Sequence, residues 1–202
     1  MKKHILAVFV SSSVLVLTAC GGGDGDSTSV IVDDGVPKNN IVNPVVRVEA
    51  YTDVDINANV VLDSVSSSKT LMTYLMRGVN GSETQATALV FKPKGPMPAG
   101  GWPIVAWAHG TTGVADQCAP SQQGLGGNEF LIAKLLVAGY AVVAPDYEGL
   151  GEPGGRELHP FLNLKSEAYS ITDAVVAASK NLGIQRRNGG LLLAILKGDM
   201  PH

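Results

Sequence analysis

Basic clusters, paired cysteines, long apolar runs and internal repeats are scarce or missing in this 202-residue chain. With Lys2 and Lys3 of the first residues set aside, 13 basic side chains face 18 acidic ones, a net charge of −5 with no basic stripe. Such a surface cannot track a phosphate backbone, which argues against nucleic acid as a partner. The four histidines are scattered, His4 near the start and His202 at the last position among them, without metal-ligand spacing, so no metal site is expected. There are two cysteines, Cys20 and Cys118. What is present is a chain with 45% hydrophobic and 16% charged residues, enough for one globular domain with a sizeable core.

The N-terminus reads as a targeting segment. Lys2 and Lys3 are followed by an apolar run from Ile5 to Leu17, shorter than the ~20 residues that a spanning helix needs. Leu17-Thr18-Ala19-Cys20 then resembles the bacterial lipobox, which implies cleavage after Ala19 and a lipid on Cys20. Residues 1–19 are thus expected to be a signal peptide and residues 20–44 a flexible tether. Gly21 to Ser29 is too polar and glycine-rich to bury a core, and Asn39, Asn40, Asn43 and Pro44 extend the spacer. Gly21 lacks the acidic retention signal of some bacterial lipoproteins. The expected location is therefore the cell envelope, anchored to the membrane through Cys20, at the outer membrane facing periplasm or exterior. Cys118 is then the one remaining thiol in an oxidising compartment, either a lone reactive group or half of a disulfide whose partner lies elsewhere.

From residue 45 onward the pattern is that of one domain. Lys69 to Met76 and Thr84 to Lys92 flank turn chemistry at Gly78-Val79-Asn80-Gly81-Ser82 and predict a β-hairpin. Trp102 to Ala108 and Tyr140 to Ala144 are short continuous apolar runs, as in strands buried on both faces. A helix is predicted over 129–138, with Asn128 as N-cap and Gly139 as stop. A second is predicted over 167–182, capped by Ser166, because Ala168, Ile171, Val175, Ala178 and Leu182 share one face. Strand, helix, strand, helix is the signature of a parallel sheet covered by helices, an α/β fold.

Ala106-Trp107-Ala108-His109-Gly110-Thr111-Thr112-Gly113 follows a buried strand and is rich in small residues, so its backbone can approach a ligand closely. Together with Asp116-Gln117-Cys118-Ala119-Pro120-Ser121 and with Gly139-Tyr140 through Asp146-Tyr147-Glu148-Gly149-Leu150-Gly151, it resembles the secretory lipase branch of the α/β-hydrolases, over about residues 70 to 185. The resemblance implies an α/β-hydrolase fold, of which this chain holds the N-terminal part. It implies a serine hydrolase acting on carboxylic esters or lipids without a cofactor. His109, Gly110 and Thr111 would form the oxyanion loop, with the Thr111 N–H as donor and His109 shaping the loop without serving as base. Asp146 and Tyr147 would hold a loop, and Asp116 and Cys118 would be structural, Cys118 with a possible disulfide partner beyond this sequence. His159 would line the approach or sit in an exposed turn. A peptidase of the same fold, and a non-catalytic envelope lipoprotein or binding module, are the alternatives.

No serine here has glycines two residues to either side, so the nucleophile elbow Gly-x-Ser-x-Gly is missing, and acid and base with it. A polypeptide of this extent is expected to lack the strand of the sheet centre as well, and to be inactive and poorly folded, with exposed sheet edges. The tail offers a reason. Leu193 to His202 can be encoded as CTG GCC ATT CTC AAG GGG GAC ATG CCG CAT. Read from the third base, that string spells Gly-His-Ser-Gln-Gly-Gly-His-Ala-Ala, a complete elbow. Residues from about 184 to 202 are therefore expected to be out of frame. The gene's own codons test this: they should spell the elbow in the alternate frame, and any other peptide there removes the frameshift.

Overall fold

The computed structural model describes residues 40–151, 154, 157–181 and 191–195. In chain order these form β1 (Val45–Ala50), α1 (Ile56–Val65), β2 (Ser66–Arg77), β3 (Glu83–Pro93), β4 (Ile104–Ala108), a 3-10 turn (Asp116–Cys118), α2 (Pro120–Gln123), α3 (Glu129–Val137), β5 (Ala141–Pro145), α4 (Leu164–Asn181) and β6 (Leu191–Ile195). The proposed signal segment, Cys20, nearly all of the spacer, Leu182 and the last seven residues lie outside the described set. No described helix is long and apolar enough to cross a membrane.

The strands build one sheet in the order β1-β2-β3-β5-β4-β6. β2 and β3 are the expected hairpin, longer at both ends, closed by Gly78 N–H to Ser82 O at 2.8 Å. β3 then lies antiparallel to β5, while β4 is parallel to both β5 and β6. β4 (IVAWA) and β5 (AVVAP) are buried at every position, which explains their unbroken apolar character: helices cover both faces. On one face Met72, Tyr74, Val90, Ala106 and Val143 pack against Ile171, Ala174, Val175 and Ala178 of α4. On the other, Leu89, Phe91, Trp107 and Val142 meet Leu62 of α1 and Ile132 and Leu136 of α3. Each large side chain so buried contributes about 1.5–3 kcal/mol.

Several local expectations are corrected. Leu191–Ile195 pairs in parallel with β4 over five positions, so the strand expected to be lacking is present, at the end of the described sheet. A five-residue apolar run meets the physical demand of a covered strand whatever follows it. α4 starts at Leu164 and not at Glu167, because Asn163 supplies the cap: its Oδ1 accepts from Ser166 N–H at 3.0 Å. Ser166 is therefore inside the helix, with its hydroxyl donated to Glu148. Asn128 precedes α3 without capping it by its side chain, which turns back to donate to Leu125 O at 2.9 Å. Gly139, at φ +86°, does end that helix in the left-handed conformation. β1 and α1 had no counterpart in the sequence pattern.

Candidate active site

Because β4 and β5 run in parallel, their C-terminal ends open on the same edge of the sheet, where ligands of open α/β sheets bind. The loop from His109 leaves β4 there, and the segment from Asp146 leaves β5 beside it. β6 ends on the same edge, with Ile195 opposite Ala108.

The His109 ring is buried and stacked on Tyr147, ring centres 4.1 Å apart. Its Nδ1 lies 2.6 Å from Gly110 O and its Nε2 lies 3.3 Å from Asp146 O. Burial lowers its pKa, opposed by these two backbone contacts, with nearby His159 adding to the lowering. A neutral imidazole has one N–H, and the shorter contact assigns it to Nδ1. Both ring nitrogens face backbone carbonyls, and among the described residues neither meets a hydroxyl.

The consequence falls on the next peptide. Gly110 C=O and Thr111 N–H belong to one trans peptide and point in opposite directions. Holding the carbonyl toward the buried imidazole turns the Thr111 N–H outward. Thr111 is exposed, and its N–H has no partner among the described residues. Tyr147 fixes the preceding carbonyl in turn, its hydroxyl donating to His109 O at 2.8 Å. Burial pushes the Tyr147 phenol above its usual range, so it stays a donor. Tyr147 holds this position at φ +71°, a left-handed conformation that costs a side-chain-bearing residue about 1–2 kcal/mol.

Asp146 is fully buried; its Oδ2 accepts from the Thr87 hydroxyl at 2.6 Å and its Oδ1 from Ser121 N–H at 2.9 Å. It thus ties β3 to the start of α2 beneath the loop. Cys118 is free and half-buried under the same loop. A Cβ at Gly113, which has φ +133°, would collide with its sulfur, so only glycine fits. Gly151 N–H reaches Asp116 O at 3.2 Å, closing the ring of loops. Glu148, also buried, accepts Val79 N–H at 3.0 Å, and its backbone carbonyl meets His159 Nδ1 at 2.8 Å. The two loop segments thus bring His109, Gly110, Thr111, Asp146, Tyr147 and His159 to one place, with Cys118 below. Thr87, Ser121 and Glu148 carry support that the sequence pattern did not single out; Thr87, the polar residue within the otherwise apolar stretch Ala86 to Phe91, was the available signal. Among the described residues no group of three His, Cys, Asp or Glu side chains is placed to hold a metal ion. A cleft of about 290 Å³ lined by Arg77, Glu83, Tyr169 and Asp173 is a separate feature, sharing no lining residue with these loops.

The same architecture occurs in the rice cell wall degrading esterase LipA from Xanthomonas oryzae, 26% identical, with a TM-score of 0.56 over 76% of this chain and 42% of that one. This is an α/β-hydrolase fold of the lipase and esterase type. Lipase A of Candida antarctica in its closed state has it too, at 18% identity and a TM-score of 0.57, over 76% of this chain and 34% of that one. The chain thus spans less than half the length of these hydrolases. No family model and no curated protein matches the sequence.

In hydrolase terms the loop offers a fixed N–H donor on a sheet edge, able to polarise a carbonyl oxygen. Its support titrates. Burial, opposed by the Ser121 and Thr87 hydrogen bonds, raises the Asp146 pKa from 3.8 to about 6. The folded state therefore holds this proton more tightly than the unfolded chain does. Asp146 then favours the fold below pH ~4, and its contribution is lost as pH rises to about 6, an effect of about 3 kcal/mol. Asp146→Asn should remove that component, so the difference in stability between variant and parent should change by this amount between pH 4 and 6. Urea unfolding across that interval measures it, and parallel curves would contradict the assignment.

Proposed function

We propose that the chain is the front part of a lipid-anchored serine hydrolase that cleaves carboxylic esters through an acyl-enzyme, without a cofactor. The observation that carries this is the Thr111 N–H, turned outward by His109 where β4 ends and left without a partner among the described residues. In the intact enzyme a serine oxygen would attack the ester carbonyl, its proton passing to a base. The oxyanion would take the Thr111 hydrogen bond, collapse would expel the alcohol, and water would then release the acid. The esterase relative supports the substrate class, and the alternate-frame serine, whose codon spans codons 195 and 196, is the nucleophile of this proposal. The acyl and alcohol pockets belong to parts of the enzyme outside these residues.

The site of action in this proposal is the bacterial cell envelope, at the outer membrane, with residues 20–44 as tether and the lipid on Cys20. Cys20→Ala should abolish incorporation of labelled palmitate; label retained in that variant would remove the anchor. The 202-residue polypeptide has no elbow serine, so it should not turn over a short-chain nitrophenyl ester. The gene read through in the alternate frame should, and should lose the activity when the elbow serine becomes alanine. Serine-dependent turnover by the 202-residue chain would refute the first half. An inert read-through product, beside a native chain that co-purifies with a stoichiometric partner, would favour a binding module.

A further inference from the structure

The sheet's β1 edge carries information that the hydrolase reading does not use. β1 is the terminal strand among the described residues, and Tyr51 N–H, directly after it, points to Lys69 O of β2 at 3.0 Å. Backbone direction alternates along a strand, so Glu49 also faces β2, and the N–H and C=O of Val48 and Ala50 face away from the sheet. Val46 and Val48 are exposed, and so are Arg47 and Glu49, whose charges lie 3.1 Å apart along the strand.

We infer that this edge pairs antiparallel with the same strand of a second copy, about a two-fold axis at Val48. In that register the outward groups of Val48 bond to Val48 of the other copy. Arg47 then lies opposite Glu49, and Glu49 opposite Arg47, as non-hydrogen-bonded pairs whose side chains come closest. Sliding to the next register that keeps outward groups paired sets Arg47 against Arg47 in one direction and Glu49 against Glu49 in the other. The charges thus select one register out of three. A generic strand is repelled by the same two residues, the usual way of blunting an edge. The inference does not depend on the hydrolase reading. One strand pair is small for a stable interface, so association is weak in dilute solution. Anchoring to a common membrane would raise the effective concentration.

The test uses the full chain expressed in its envelope, carrying Cys118→Ala so that no native thiol of the domain interferes. Val48→Cys faces itself across the axis at a Cα separation of about 5.5 Å, within the disulfide range. It should give a disulfide-linked dimer on a non-reducing gel. Adding Arg47→Glu or Glu49→Arg sets like charges opposite each other and should lower the dimer fraction roughly tenfold. Co-expressing those two charge variants, each with Val48→Cys, restores opposite charges between chains, and the dimer should return. That recovery separates pairing between chains from the ion pair within one strand, which both variants lack. No dimer in the parent Val48→Cys chain, a dimer indifferent to either charge reversal, or no recovery on co-expression would each overturn the inference; the first is also the outcome if residues before 40 cover this edge.

Discussion

Three consecutive side chains after β5 hold the site edge together by diverging. Asp146 goes under the loop to Ser121 and Thr87, Tyr147 goes up to the His109 carbonyl, and Glu148 goes sideways to Val79 and Ser166. An extended strand sends alternate side chains to two faces, so three directions need a break in the strand, and Tyr147 at φ +71° provides it. The local strain is offset by hydrogen bonds that only this geometry allows. Two buried carboxylates in succession would ordinarily be expensive, yet each accepts a backbone N–H, the partner that best satisfies a carboxylate without a counter-charge. Asp146 still carries a residual cost, expressed in its raised pKa.

From this anchor the orientation of the loop after β4 follows by covalent geometry. Tyr147 fixes the His109 carbonyl, the His109 ring fixes the Gly110 carbonyl, and peptide planarity fixes the Thr111 N–H. Each link is short-range, so the direction of this donor is set by the fold itself. Cys118 under Gly113 then limits how far the loop can sink, since sulfur fills the space a side chain would need.

Legibility in the sequence tracked the range of the interactions. β4 and β5 could be seen because helices on both faces leave no room for polar residues, and α3 and α4 because their apolar residues keep a helical period. β1 and α1 could not. VVRVEA interleaves charges, and INANVVLDSV mixes asparagine with β-branched residues, so its helix depends on the Asp55 cap at 2.8 Å. In the site, His109, Gly110 and Thr111 are adjacent and could be read as a block. The side-chain partners of Asp146 and Glu148 lie 59, 25, 69 and 18 residues away, distances no local pattern encodes. The tail misled in the other direction: a missing elbow suggested a missing strand, whereas a strand needs only its five apolar residues and an open β4 edge.

That separation of strand from elbow is informative about how such a site is assembled. Every described contact that orients the Thr111 N–H comes from residues between 87 and 147, on β3, β4, β5 and their loops. The direction of this N–H is thus a property of the front of the fold, held by the same hydrogen bonds that close its loops.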